Sequence, residues 1–183
     1  AAILFLGAPL WWRFRKHLDL GIKDGIFIAA FDWLLVSALS ALPFMIHGAI
    51  PSFTDAFFES VSGFTTTGST IMNDIEGVGS AHHAVLFWRS LIQWLGGMGI
   101  IVLSVAILPA LGVGGVELAR AESPGPRPDR LTHRFRETAK RLWLVYFGLT
   151  VAITAALMVA GMSLFDGVTH AFAAASTGGF SPR

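Results

Sequence analysis

The sequence predicts an all-α, multi-spanning membrane protein built from helix–pore-loop–helix repeats. Three observations predict it. The 183-residue chain is 54% hydrophobic and only 14% charged, with a mean hydropathy of +0.64, whereas soluble domains carry about a quarter charged residues. Three apolar segments are long enough to cross a bilayer, which takes roughly 20 residues. Two further apolar runs are too short to span, and each dissolves into a polar string of Thr, Ser and Gly.

Composition also narrows function. Fifteen Phe and six Trp suit a lipid-facing protein, so the bilayer is the first partner expected. The chain has no Cys, which excludes a disulfide framework and any Cys-based metal or redox site. A net charge of +1 points to no particular partner, and nothing calls for nucleic acid. No Gly-x-Ser-x-Gly, His-Glu-x-x-His or Walker pattern occurs, so neither an enzyme nor a cofactor is expected. Both ends read as cut, and no cleavable signal peptide is visible.

Taken in order, residues 1–12 read as the tail of a preceding helix ending in Trp11 and Trp12 as interfacial anchors, and 1–23 as that tail with its cytoplasmic flank. A first repeat is expected over 24–115, with spans at 26–47 and 84–108 and a short helix and string at 52–70. Pro43 is expected to bend the exit of the first span. Residues 116–141 form a basic linker, and 122–130, ESPGPRPDR, read as a loop. A second repeat is expected over 142–183, with a span at 142–162 and a short helix and string at 163–181.

Orientation follows from Lys and Arg. Arg13, Arg15, Lys16 and Lys23 flank the first span, and Arg120, Arg127, Arg130, Arg134, Arg136, Lys140 and Arg141 crowd the linker. Residues 48–83 hold neither Lys nor Arg but carry Asp55, Glu59, Asp74 and Glu76. The linker at 116–141 is therefore expected in the cytoplasm and 48–83 outside it.

Sliding the chain along itself from Ser52 to Ser163 aligns SFTDAFFESVSGFTTTGST with SLFDGVTHAFAAASTGGFS. Ser52 falls on Ser163, Asp55 on Asp166, Thr66 on Thr177 and Gly68 on Gly179. These identities fall at the same points of one supersecondary unit, which gives them weight. Both blocks open with Ser-x-x-Asp, a capping-box-like start. Ser52 and Ser163 are expected to accept from free N–H groups of the first turn, and Asp55 and Asp166 to complement the positive helix end. Each short helix then runs inward about three turns.

Non-helical backbone at membrane depth is tolerated only where it is buried in protein or lines a watery cavity. The carbonyl end of a half-spanning helix favours a cation. An extended string behind it offers backbone carbonyls, and hydroxyls from Thr66 or Thr177, in place of an ion's water shell. Gly68 and Gly179 supply backbone freedom. Neither string contains Lys or Arg, and acids lie nearby, which fits a cation. The competing reading makes the strings plain extracellular turns.

Other residues carry paired readings. Gly96, Gly97 and Gly99 are a small-residue face for close packing, or a pivot near the pore. Arg89, within the second span, is functional or snorkels to the interface. Glu59 and His170 hold equivalent places in the two short helices and either tune a pore mouth or are solvated. Asp32 pairs with a basic neighbour or draws cations to the inner mouth, and His82 and His83 are loop residues rather than a metal pair.

At this point SGFTTTGST, FWRSLIQWLGGMGIIVLSVAILP, ETAKRLW and STGGFS closely resemble the Trk/Ktr/HKT potassium transporter superfamily, most of all its TrkH-type bacterial potassium uptake members. TTTGST followed by WLGGMGIIVL is the specific part, and the resemblance covers essentially the whole chain. It implies four non-identical helix–pore-loop–helix repeats around a central path, arranged as in a potassium channel, of which this sequence holds the first and the front of the second. It implies potassium as the transported ligand, held by carbonyls of Thr66, Thr67, Gly68, Thr177, Gly178 and Gly179. Glycine at 68 and 179 favours potassium, since some plant relatives carry Ser in the first repeat and pass sodium. The resemblance further implies a bacterial inner-membrane protein, a homodimer, and a cytoplasmic ring of nucleotide-binding regulatory subunits.

Two alternatives stand beside this reading. One is a sodium-permeating member of the same superfamily. The other is a membrane enzyme or assembly subunit whose re-entrant loops are only structural, in which case the two strings need not converge.

Overall fold

A computed structural model describes residues 22–72, 75, 83–110 and 128–180, with side chains described at 27–72, 75, 83–101 and 137–180. The expected helix tail at 1–12, the basic residues Arg13, Arg15, Lys16, Arg120 and Arg127, and Asp74, Glu76 and His82 lie outside the described residues. Five helices occur in order: α1 (Ile22–His47), α2 (Phe53–Phe64), α3 (His83–Ala110), α4 (Pro128–Val159) and α5 (Leu164–Ser176). There is no strand among the described residues.

The chain divides into two compact units, Ala1–Phe31 and Asp32–Arg183. In the first, the described part is the opening of α1, where the Phe27 and Phe31 rings stack with centroids 6.4 Å apart. Everything that follows concerns the second unit.

Three helices are long and apolar enough to cross a membrane, over Phe27–His47, His83–Ile101 and Glu137–Val159. Half of the α3 span is buried inside the protein, against 22% for α1 and 11% for α4. So α3 is the central helix, and the outer two keep apolar side chains exposed: Leu34, Leu35 and Ile46 on α1, and Leu144, Val145, Phe147 and Val159 on α4. Large exposed apolar surface of this kind belongs in lipid.

On α1 the buried positions are Ser37, Ser40, Ala41 and Phe44, the i, i+3, i+4, i+7 face of a helix. Ala41 and Phe44 enter a core with Ile50, Ala56, Phe64, Val85 and Ile92. The Trp88 Nε1 on α3 donates to the Ser40 carbonyl at 3.1 Å, and Trp33 meets Phe64 edge-on. α4 and α5 form a hairpin that packs on the other side of α3. There Trp94 donates to Thr150 Oγ1 at 3.0 Å, and the Tyr146 hydroxyl donates to the Trp94 carbonyl at 3.0 Å.

Three element boundaries depart from expectation. α4 begins at Pro128, so the linker expected as far as residue 141 is helical over its last part. Proline at the first helical position explains this, because its missing N–H is not needed there and its φ is already helical. α4 also ends at Val159 rather than 162. The Gly161 N–H bonds to the Met158 carbonyl, the Met162 N–H bonds to the Leu157 carbonyl, and Gly161 takes φ +99°, a left-handed cap that stops the helix. α1 runs through Pro43 to His47, so Pro43 does not end it.

Candidate functional site

α2 and α5 end alike. At α2 the Thr66 N–H bonds to the Gly63 carbonyl and the Thr67 N–H to the Ser62 carbonyl, both at 3.0 Å. At α5 the Thr177 N–H bonds to the Ala174 carbonyl at 3.2 Å and the Gly178 N–H to the Ala173 carbonyl at 3.3 Å. These are the paired bonds of a Schellman cap, which needs a left-handed residue next to the helix. Thr66 and Thr177 fill that place at φ 54° and 52°, and among the described residues no other non-glycine has positive φ. Two residues on, Gly68 and Gly179 take φ 76° and 77°. The internal repeat is thus a backbone repeat as well as a sequence one.

The helix starts differ. Ser163 Oγ accepts from the Asp166 N–H at 3.2 Å and donates to Asp166 Oδ2 at 2.8 Å, so Asp166 completes the cap. Ser52 occupies the cap position of α2 with extended backbone, but its side chain makes no capping bond. This corrects the expectation for Ser52. The start is exposed, Asp55 included, so its free N–H groups can be met by solvent, and only the Ser52 carbonyl enters the first turn, accepting from Ala56 at 2.9 Å.

Both helices end against α3. A Cβ on Gly96 would strike the backbone of Phe64, the last residue of α2, and one on Gly97 would come within 3.0 Å of the Ser176 backbone, the last residue of α5. Gly96 and Gly97 are adjacent and lie halfway along the 28-residue α3. Two adjacent glycines therefore bring two carbonyl ends to one depth. Gly99 faces the Trp33 ring, with a less crowded Cβ position at 3.3 Å.

The strings then meet. A Cβ on Gly68 would overlap the Gly178 carbonyl oxygen and come within 3.4 Å of the Gly179 carbonyl carbon. Gly178 is buried against the Gln93 side chain, whereas a Cβ on Gly179 would find open space. Thr65, Thr67, Thr177 and Gly179 are exposed, and Thr66 and Gly68 partly so. The Thr65 hydroxyl donates to the Val61 carbonyl at 2.8 Å, so in its 2.7 Å contact with Thr67 it accepts and Thr67 donates. Thr65 thereby steadies Thr67 from behind.

Glu59 and Arg89 form a buried pair, with Arg89 Nε 2.6 Å from Glu59 Oε1 and exposures of 2% and 0%. This overturns the snorkelling reading of Arg89 and the solvated reading of Glu59. Arg89 sits seated on α2 rather than reaching an interface, because α2 presents a carboxylate to it. His170, the counterpart of Glu59, turns its Nδ1 to the Asp166 carbonyl of its own helix at 2.8 Å. His83 meets the Phe165 ring edge-on, and Asp32 is exposed on α1.

Gln93 escaped the sequence reading. It is fully buried, and its Oε1 accepts from the Phe180 N–H at 3.3 Å. Its signal was available, since an amide inside an apolar span faces protein rather than lipid.

The comparisons with known proteins follow from this geometry. A family model described as TrkH, cation transport protein, matches residues 1–182. The chain belongs to the TrkH family of cation transport proteins. Trk system potassium uptake protein TrkH of Escherichia coli K12 is 51% identical over 182 residues, covering 97% of this chain and 37% of that protein. TrkG of the same strain, also a Trk system potassium uptake protein, is 42% identical over 179 residues, covering 96% and 36%. The crystal structure of the potassium transporter TrkH from Vibrio parahaemolyticus superposes with a TM-score of 0.79 at 41% identity, covering all of this chain and 36% of that one. This TrkH-family chain therefore spans a little over a third of the length of these relatives. Its family is one of transport proteins rather than enzymes, and it is membrane-embedded, in keeping with the three apolar spans.

Proposed function

We propose that this chain supplies two of the strands lining a potassium permeation path in a bacterial inner membrane. One observation carries the proposal. Two short helices of matching geometry end against adjacent glycines at the middle of one membrane span, and their strings touch beyond that point. Carbonyl helix ends at that depth favour a cation, and irregular backbone there must line a watery cavity or be buried. Carbonyls of Thr66, Thr67 and Gly68, and of Thr177, Gly178 and Gly179, replace part of the ion's water shell. The named relatives are potassium uptake proteins, which supports potassium as the substrate.

Two strands cannot encircle an ion, so further strands complete the ring, from the rest of a longer chain as in a four-repeat transporter. Residues 24–115 and 142–183 are the two repeats, 48–83 face the outside, and the basic segment 116–141, helical from Pro128, faces the cytoplasm. Dimerisation and cytoplasmic nucleotide-binding subunits belong to the same reading, and the basic end of α4 is where such subunits would dock. The rival in which the loops are only structural loses its main support, since it has no need of strings in contact.

Rubidium and potassium uptake by the complete transporter, in a bacterium lacking its own potassium uptake systems, tests the proposal. Gly68→Ser is expected to lower potassium-over-sodium preference. Unchanged flux and preference in both Gly68→Ser and Gly179→Ser would sink the filter assignment.

A further inference from the structure

The Glu59–Arg89 pair lies where the two strings are held, and its contacts reach both. Glu59 Oε1 accepts from the Thr70 hydroxyl at 2.9 Å and from Arg89 Nε at 2.6 Å, while Oε2 accepts from the Ile71 N–H at 3.1 Å. The Thr70 oxygen in turn accepts from the Met72 N–H at 3.0 Å. Three consecutive residues leaving the first string, 70–72, are thus tied to one carboxylate on α2.

Arg89 carries the constraint onward. Its Cζ lies 3.8 Å from the centroid of the Phe180 ring, the residue that follows Gly179. Phe180 is 1% exposed, and its N–H is held by Gln93, one turn along α3 from Arg89. Gly63 makes room for this arrangement, since a Cβ there would press on Ile92 and approach the Phe180 ring at 3.3 Å.

The repeat explains why one pair serves two strings. The second short helix has His170 where the first has Glu59, and His170 turns back on its own helix. The second string has no carboxylate of its own at that place and takes its anchors from α3.

We propose that Glu59 and Arg89 are positioning residues that set ion selectivity by holding the two strings in register. The inference rests on the permeation reading and deepens it. The chemistry also explains why the positions are charged. An unpaired arginine beside a cation path would repel the ion, and a buried charge without its partner is strongly unfavourable. Paired, the two groups add no net charge, while the carboxylate still grips backbone N–H and hydroxyl donors more strongly than a neutral acceptor does.

The test uses the complete transporter in a bacterium lacking its own potassium uptake systems. Membrane abundance is measured beside potassium-over-sodium preference, because a merely structural role changes the first and not the second. Thr70 is exposed, so Thr70→Val should accumulate normally, yet its preference should fall roughly tenfold, the factor one lost charge-assisted hydrogen bond corresponds to. Thr70→Ser, which keeps the hydroxyl, should restore preference relative to Thr70→Val. Glu59→Gln should lose both abundance and preference, and adding Arg89→Gln should recover abundance without preference. Wild-type preference in both Thr70→Val and the accumulated double variant overturns the inference, and if the double variant does not accumulate, Thr70→Val decides alone. Gly68→Ser separates the two claims. If it shifts preference while those variants do not, only the register role fails. If it also changes nothing, the permeation reading fails with it.

Discussion

Gly68 faces the carbonyl oxygen of Gly178 so closely that even a methyl group would overlap it. Its repeat partner Gly179 has the same left-handed backbone but open space where a Cβ would go. The two glycines are therefore equivalent in conformation and unequal in surroundings. Gly68→Ala must fit a side chain at φ 76° and push a backbone carbonyl aside, whereas Gly179→Ala meets only the conformational penalty, about 1–2 kcal/mol. The expected result is a larger loss of potassium-over-sodium preference in Gly68→Ala than in Gly179→Ala, read by competition uptake. The reverse order would contradict this packing.

Gly96 and Gly97 should also differ. A Cβ at 96 meets the Phe64 backbone, which cannot move aside cheaply, while one at 97 meets first the Ser176 Cβ and the Tyr146 hydroxyl, both at 2.9 Å. Gly96→Ala is expected to cost about 1–3 kcal/mol, the usual range for overpacking, and Gly97→Ala less. Thermal unfolding of the purified variants gives the order.

How much of this was legible in the sequence can be read from these same residues. The spans, the short helices and the strings follow from run length and composition, and α3 was expected within a few residues of its observed ends. The glycine face was visible as a packing surface, but not that Gly96 serves α2 and Gly97 serves α5, since that depends on how two helices settle on a third. The start of α4 was missed because Pro-rich composition reads as loop, although Pro128 itself is a good first helical residue. The ion pair was hidden for a different reason. Glu59 and Arg89 belong to separate helices, and neither has a local pattern that names the other.

Thr66 and Thr177 hold β-branched side chains in left-handed backbone, a conformation that costs about 1–3 kcal/mol and tends to persist at functional sites. Thr66→Gly and Thr177→Gly should relieve it and raise stability by about 1 kcal/mol or less, while lowering uptake, because the hydroxyl is lost and the string loosens. Unfolding and rubidium uptake, measured on the same variants, should move in opposite directions. A variant less stable than wild type counts against stored strain.

The two helix starts give a paired control. Ser163→Ala removes a hydroxyl that both accepts from and donates to Asp166, and should cost about 1 kcal/mol. Ser52→Ala removes a hydroxyl with no capping bond and should be close to neutral. Equal losses at both positions would show that Ser52 caps its helix after all.

The central claim is that two strings from two repeats hold one cation together. Anomalous scattering from rubidium-soaked crystals of the complete transporter tests it most directly. The account predicts a rubidium peak in direct contact with carbonyl oxygens from residues 66–68 and, in the same shell, from residues 177–179. A peak coordinated by one string alone, or by neither, would contradict it.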